Sequence, residues 1–178
     1  MLVFLSHVAR RFYECRSVSV FGNSQMSITH FVLSILYYIA VPFAIYTSRL
    51  QAAERSPLSM VLFVICVFGV QFCQDLTFQQ LANLRNSIKY EKGGNCADKY
   101  FVPTGSMFQY VTCPHYLLEI TLYLSIHIFL TTQWTSFSHI LVFVVINQIC
   151  SAWLNHMWYK EHFPEWANER AALFPGVL

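Results

Sequence analysis

Long runs without a single Asp, Glu, Lys or Arg divide this chain. One lies between Arg16 and Arg49, a second between Arg55 and Asp75, and a third extends from Ile120 to Tyr159. The third is long enough for two membrane crossings at roughly 20 residues each. Hydrocarbon offers the backbone no partners, so a spanning segment must satisfy its own N–H and C=O groups. The runs are continuously apolar and do not alternate, which predicts helices and not barrel strands. We place four spans, at His30–Thr47, Leu58–Leu76, Tyr116–Thr131 and Ser138–Met157. The apolar opening, Met1–Ala9, is too short to cross and lacks a signal-peptide cleavage pattern. It reads as the end of a helix whose start lies outside this sequence. The expectation is an all-α, multi-pass transmembrane bundle forming a single membrane domain over residues 1–178.

Composition agrees: 56% of the 178 residues are hydrophobic and 11% are charged, whereas soluble domains are about a quarter charged. Mean hydropathy is +0.44. With four spans, the first tail, the Arg85–Pro114 loop and the last tail share one side. That side carries nine of the eleven Lys and Arg residues, leaving Arg49 and Arg55 opposite. Basic residues collect on the cytosolic side of membrane proteins, which orients the chain. No basic stripe points to nucleic acid. The six cysteines form no C-x-x-C pair and read as packing residues. The seven histidines are too scattered for a metal box, so no metal is expected.

Polar residues gather at the cytosolic helix ends. Glu119 sits about one turn inside the third span, where a carboxylate costs roughly 2.5–3.5 kcal/mol on insertion scales. It therefore needs a partner, and intramembrane ionisable groups default to function. His115 precedes it by four residues and shares its helix face. His156 and Tyr159 lie three apart at the end of the last span. The plainer alternatives are helix packing for Glu119, a dipole contact for His156 and an aromatic belt for Tyr159. Arg85 follows a helical stretch and is suited to gripping phosphate, whereas Lys89 and Lys92 read as topology charges. The polar loop with Gly93 and Gly94 at its middle reads as linker-like, and Tyr100–Gly105 reads as an extended piece followed by a turn. Pro114 suits the first turn of the third span, whose free N–H groups face the same surface. Together these predict a site for an anionic ligand at the cytosolic face, built partly from a 77–114 cofactor loop.

Several segments resemble the steroid 5α-reductase family, most closely its polyprenol reductase branch. They are Arg10–Cys15 (RRFYEC), Ser17–Phe21, Leu81–Arg85 (LANLR), Tyr100–Pro103 and Gly105–Glu119 (GSMFQYVTCPHYLLE). Asn147–Gln148, Ser151–Tyr159 (SAWLNHMWY) and Arg170–Pro175 complete them. The resemblance implies about seven membrane helices in the full fold, of which this chain is the C-terminal part. It implies NADPH bound from the cytosolic side of the endoplasmic-reticulum membrane. The reaction implied is reduction of the α-isoprene double bond of polyprenol or polyprenal toward dolichol or dolichal, for protein N-glycosylation. By position, Arg11, Gln74, Arg85, Tyr100, His115, Glu119, His156 and Tyr159 fall on cofactor-binding positions, with His156 and Tyr159 as the catalytic candidates. Phe78 replaces a family Asp or His, and Asn155 replaces a His of the steroid enzymes. Val8 stands where the family's catalytic tyrosine region lies. Family members are longer at the N-terminus, so the substrate half is expected to be incomplete. Two alternatives stay open: an isoprenylcysteine-type membrane methyltransferase, and a short non-catalytic form.

Overall fold

A computed structural model describes residues 1–19, 27–50, 54–91, 101–131 and 133–174, with the backbone alone for 86–91. In order, the elements are α1 (Leu2–Tyr13), a π-helical turn (Glu14–Val18), α2 (Ile28–Leu50) and α3 (Pro57–Glu91). A 3-10 turn (Ser106–Gln109), α4 (Pro114–Leu130), α5 (Ser136–His162) and α6 (Pro164–Ala167) follow. Among the described residues β pairing amounts to one isolated parallel bridge, Val111 with Ala171. The fold is all-α, as the charge-free runs predict.

Three helices, α2, α3 and α5, are long and apolar enough to cross a membrane. The fourth expected span falls on α4, whose 17 residues sit at the lower end of the about 17–25 that a crossing takes. α4 is the most enclosed helix, burying Leu118, Ile120, Leu122, Tyr123, Ile126 and Leu130 over most of its circumference, with Leu124 and Ile128 on the face left exposed. A helix apolar on all sides belongs in the middle of a bundle. Tyr123 shows why, since its ring meets Phe4 of α1 at 6.5 Å, Tyr37 of α2 at 6.4 Å and Phe137 of α5 at 6.2 Å.

The flanking helices are patterned the other way. On α2, Phe31, Leu36, Ile39 and Phe43 are exposed, which suits lipid and not water. α3 turns Val67, Gln71, Gln74 and Thr77 inward at three- and four-residue spacing, and Ala82 is buried farther along it. Gln71, Gln74 and Thr77 thus face protein while Leu62, Ile65, Phe68 and Phe72 face out. α3 continues through Thr77 to Glu91, so the head of the 77–114 segment is helix. Arg85 accordingly lies on a helix and not in a loop. The reason is that Thr77–Glu91 contains neither Gly nor Pro to stop a helix entered from the span. Residues 92–100, with Lys92 and Tyr100, lie outside the described residues.

Polar pairs fix the helices laterally. Ser48, fully buried on α2, donates to Thr135 Oγ1 at 3.0 Å and accepts from the Phe137 N–H at 3.0 Å. It thereby satisfies a free N–H in the first turn of α5. The C-terminal strap lies along the lead-in to α4. Thr112 N–H donates to Ala171 O at 2.9 Å, Cys113 N–H to Ala172 O at 3.2 Å, and Arg170 Nε to Phe108 O at 2.9 Å. Gly105 turns the chain there at φ 83°, a conformation glycine adopts without strain. Replacing Ser48 with Ala should lower stability by about 1–2 kcal/mol, since it strips partners from two buried groups. Reversible unfolding in mixed micelles measures it.

Candidate functional site

α1 is short, yet it carries the site's densest chemistry. His7, Arg10, Arg11 and Glu14 recur at three- and four-residue intervals, so they share one face. Glu14 is fully buried in the π-helical turn. Arg10 binds one of its oxygens and Arg11 the other, the latter at 2.7 Å. A buried carboxylate persists only with such compensation. The guanidinium of Arg11 also lies 4.4 Å over the Phe78 ring of α3. Phe78, the apparent departure from the family pattern, is thus a cation–π platform that also meets the His115 ring at 5.6 Å.

Glu119 reaches into this group from α4. His7 Nε2 lies 3.3 Å from its Oε1, and Gln74 Nε2 donates to its Oε2 at 2.6 Å. Gln74 Nε2 also lies 3.4 Å from the His115 carbonyl oxygen. Arg10 Nη2 contacts both His7 Nδ1, at 3.3 Å, and Gln74 Oε1. The partner that an intramembrane carboxylate requires is therefore supplied from two other helices. His115 Nδ1 and Arg10 Nε are buried with no hydrogen-bond partner among the described residues.

A second group forms where α5 leaves the bundle. His156 is buried, with Nδ1 3.1 Å from Thr112 Oγ1 in the lead-in to α4. Asn155, where the steroid enzymes carry His, donates to the Tyr116 hydroxyl at 2.8 Å. Tyr116 in turn packs on His115 at 4.1 Å between ring centres. Tyr159 packs against Trp158 and Trp166, at 5.2 and 5.0 Å, and Arg85 lies within electrostatic reach of it. Cys113, which caps α4, is buried, and burial pushes its thiol up to about 11. It is a neutral packing group at neutral pH.

Of the expected site residues, Arg11, Gln74, His115 and Glu119 come together in the first group, and His156, Tyr159 and Arg85 in the second. His115–Tyr116–Asn155 joins the two. Tyr100 lies outside the described residues. Sequence reasoning missed His7, Arg10 and Glu14. The signal was present in the four-ion stripe on one short helix face, among otherwise charge-poor segments. Among the described residues, no group of three His, Cys, Asp or Glu side chains is arranged to hold a metal ion.

Apolar helices turned outward and ionisable groups locked inward define an all-α membrane protein with a buried polar centre. The family model described as 3-oxo-5-alpha-steroid 4-dehydrogenase matches residues 18–178, and the chain belongs to that family. It is 33% identical over 192 residues to a polyprenal reductase of Caenorhabditis elegans, covering 100% of this chain and 60% of that protein. It is 30% identical over 182 residues to the Xenopus laevis polyprenal reductase, covering 97% and 56%. The human polyprenal reductase is 28% identical over 194 residues, covering 100% and 59%. The chain thus spans about 60% of the length of these curated relatives. No solved structure matches it. The resemblance drawn from its motifs is borne out, and the family does not favour the methyltransferase alternative.

Cys113 should resist alkylation in the folded protein. Its thiolate fraction near neutral pH is lower by about a hundredfold than that of an unshifted thiol. Mass-spectrometric mapping of maleimide adducts, with exposed Cys15 as the internal reference, tests this.

Proposed function

We propose that this chain forms the cofactor half of an NADPH-dependent reductase. The reaction saturates the α-isoprene double bond of polyprenal, or of polyprenol, toward dolichal or dolichol. Dolichol synthesis, and through it protein N-glycosylation at the endoplasmic-reticulum membrane, is the process served. The observation that carries this reading is the ionisable centre around Glu119, held at membrane depth on the face shared with His115. A carboxylate so expensive to bury is kept for use. The polyprenal reductase relatives give the reaction its class.

The residues fit a nicotinamide nucleotide. His115 Nδ1 and Arg10 Nε are buried polar atoms without partners among the described residues. Each costs about 1–3 kcal/mol until something polar reaches it. Arg11, Gln74, His115 and Glu119 would hold the cofactor from one side, and Arg85, His156 and Tyr159 from the other, with Tyr100 as a further contact. Bound NADPH supplies the hydride for the β carbon of the double bond. The protein's part is to bind, orient and manage the proton. Thr112 fixes the His156 ring through its hydroxyl, and Trp158 and Trp166 pack against the Tyr159 ring and hold it in place. His156 and Tyr159 are the residues we assign to the proton. The excess of Lys and Arg on the side bearing both groups supports a cytosolic entrance.

Titrating the detergent-solubilised 178-residue chain with NADPH should quench tryptophan fluorescence saturably, whereas S-adenosylmethionine should leave it unchanged. Glu119→Gln removes a charge-assisted contact and should weaken binding about tenfold or more, with membrane insertion intact. His156→Ala should weaken it also. A folded chain that ignores NADPH, or two variants that bind as wild type does, would refute the assignment.

A further inference from the structure

The hydrogen bonds around Glu119 have a direction that one residue sets. A guanidinium can donate but cannot accept. Arg10 Nη2 carries two hydrogens and faces two atoms, His7 Nδ1 at 3.3 Å and Gln74 Oε1. Both atoms must therefore accept. If His7 Nδ1 accepts, the ring proton sits on Nε2, which points at Glu119 Oε1 at 3.3 Å. If the Gln74 oxygen faces Arg10, its NH2 group faces Glu119 Oε2, as observed at 2.6 Å. Each oxygen of Glu119 thus meets a donor. Both oxygens are engaged as acceptors, a role that an ionised carboxylate fills at both atoms at once. Glu14, buried behind Arg10 and bound by it, fixes the guanidinium in this orientation.

We infer that Arg10 is a positioning residue: it locks His7 and Gln74 as donors, so that Glu119 presents an acceptor-only carboxylate. Two consequences follow for the ligand. The group that Glu119 receives is a hydrogen-bond donor, an N–H or O–H, and not a carbonyl or phosphate oxygen. The proton consumed in the proposed reduction is not supplied by Glu119, because that carboxylate has none to give. The other titratable groups around Glu119 leave this polarity unchanged. Arg11 on α1 can only donate, and Tyr37 and Tyr38 on α2 and Tyr123 on α4 influence it through space. His115 presents its carbonyl to Gln74. The inference rests on the proposed function for its link to NADPH, but the hydrogen-bond polarity can be tested without it.

His7–Val8 is the single His–Val pair in the sequence. Labelling His with carbonyl 13C and ring 15N, and Val with backbone 15N, therefore assigns the His7 signals in the intact chain without a variant. In lipid nanodiscs at neutral pH, the His7 ring should show one neutral form, protonated at Nε2. An imidazolium, or a ring protonated at Nδ1 alone, would overturn the inference. In Arg10→Met the lock is gone, and a second ring form should become populated while NADPH affinity falls about tenfold. An unchanged ring in a folded Arg10→Met protein would remove Arg10 from the role. If that variant does not fold, the wild-type ring decides alone. If wild-type ring signals are as expected but NADPH does not bind, the polarity stands and the reductase reading falls.

Discussion

The cost of holding a carboxylate inside a membrane bundle organises this protein. Glu119 sits on the most enclosed helix, and its two oxygens take donors from α1 and α3. Without them α4 would carry an uncompensated charge into its most tightly packed surroundings, which is among the largest penalties a fold can incur. Three helices are therefore tied at one depth, and each must present a particular residue there. α3 does so by turning Gln71, Gln74 and Thr77 inward along a stripe. α1 and the π-helical turn that continues it do so by stacking four ionisable side chains on a single face. The second carboxylate, Glu14, anchors the arginines that the first depends on.

Away from this centre, apolar packing needs little specificity. Tyr123 gathers aromatic rings from three other helices, and Ser48 closes the end of α5. In lipid no hydrophobic force drives helices together, so shape and a few polar contacts must do so. The strap of Arg170–Leu173 along Phe108–Cys113 has another task. It fixes the lead-in to α4, and with it the hydroxyl of Thr112 that orients His156. This motif thus acts on the site through backbone pairing, reinforced by the Arg170 side chain on the Phe108 carbonyl.

The family's variable positions gain a physical meaning here. Phe78 offers a ring to Arg11 in place of a polar contact, so a guanidinium that would otherwise lack support on that side is held. Asn155 turns to the Tyr116 hydroxyl and couples the two polar groups of the site. Neither exchange leaves a gap. Each redirects a neighbouring cation or hydroxyl.

The sequence by itself determined the helices. Charge-free runs must become self-satisfied backbone wherever there is no water, and α2, α4 and α5 fall where those runs lie. It also determined that Glu119 and His115 share a face and that Pro114 opens α4, because helical spacing and proline geometry are local. The length of α3 beyond Leu76 was less legible, since charged residues resemble a loop until no breaker is found among them. Only the tertiary structure decided which donors meet Glu119. Partners on separate helices depend on rotation and depth, which no local pattern encodes. His7 and Gln74, 67 residues apart in the chain (74 − 7), became a matched pair because Arg10 faces both at once.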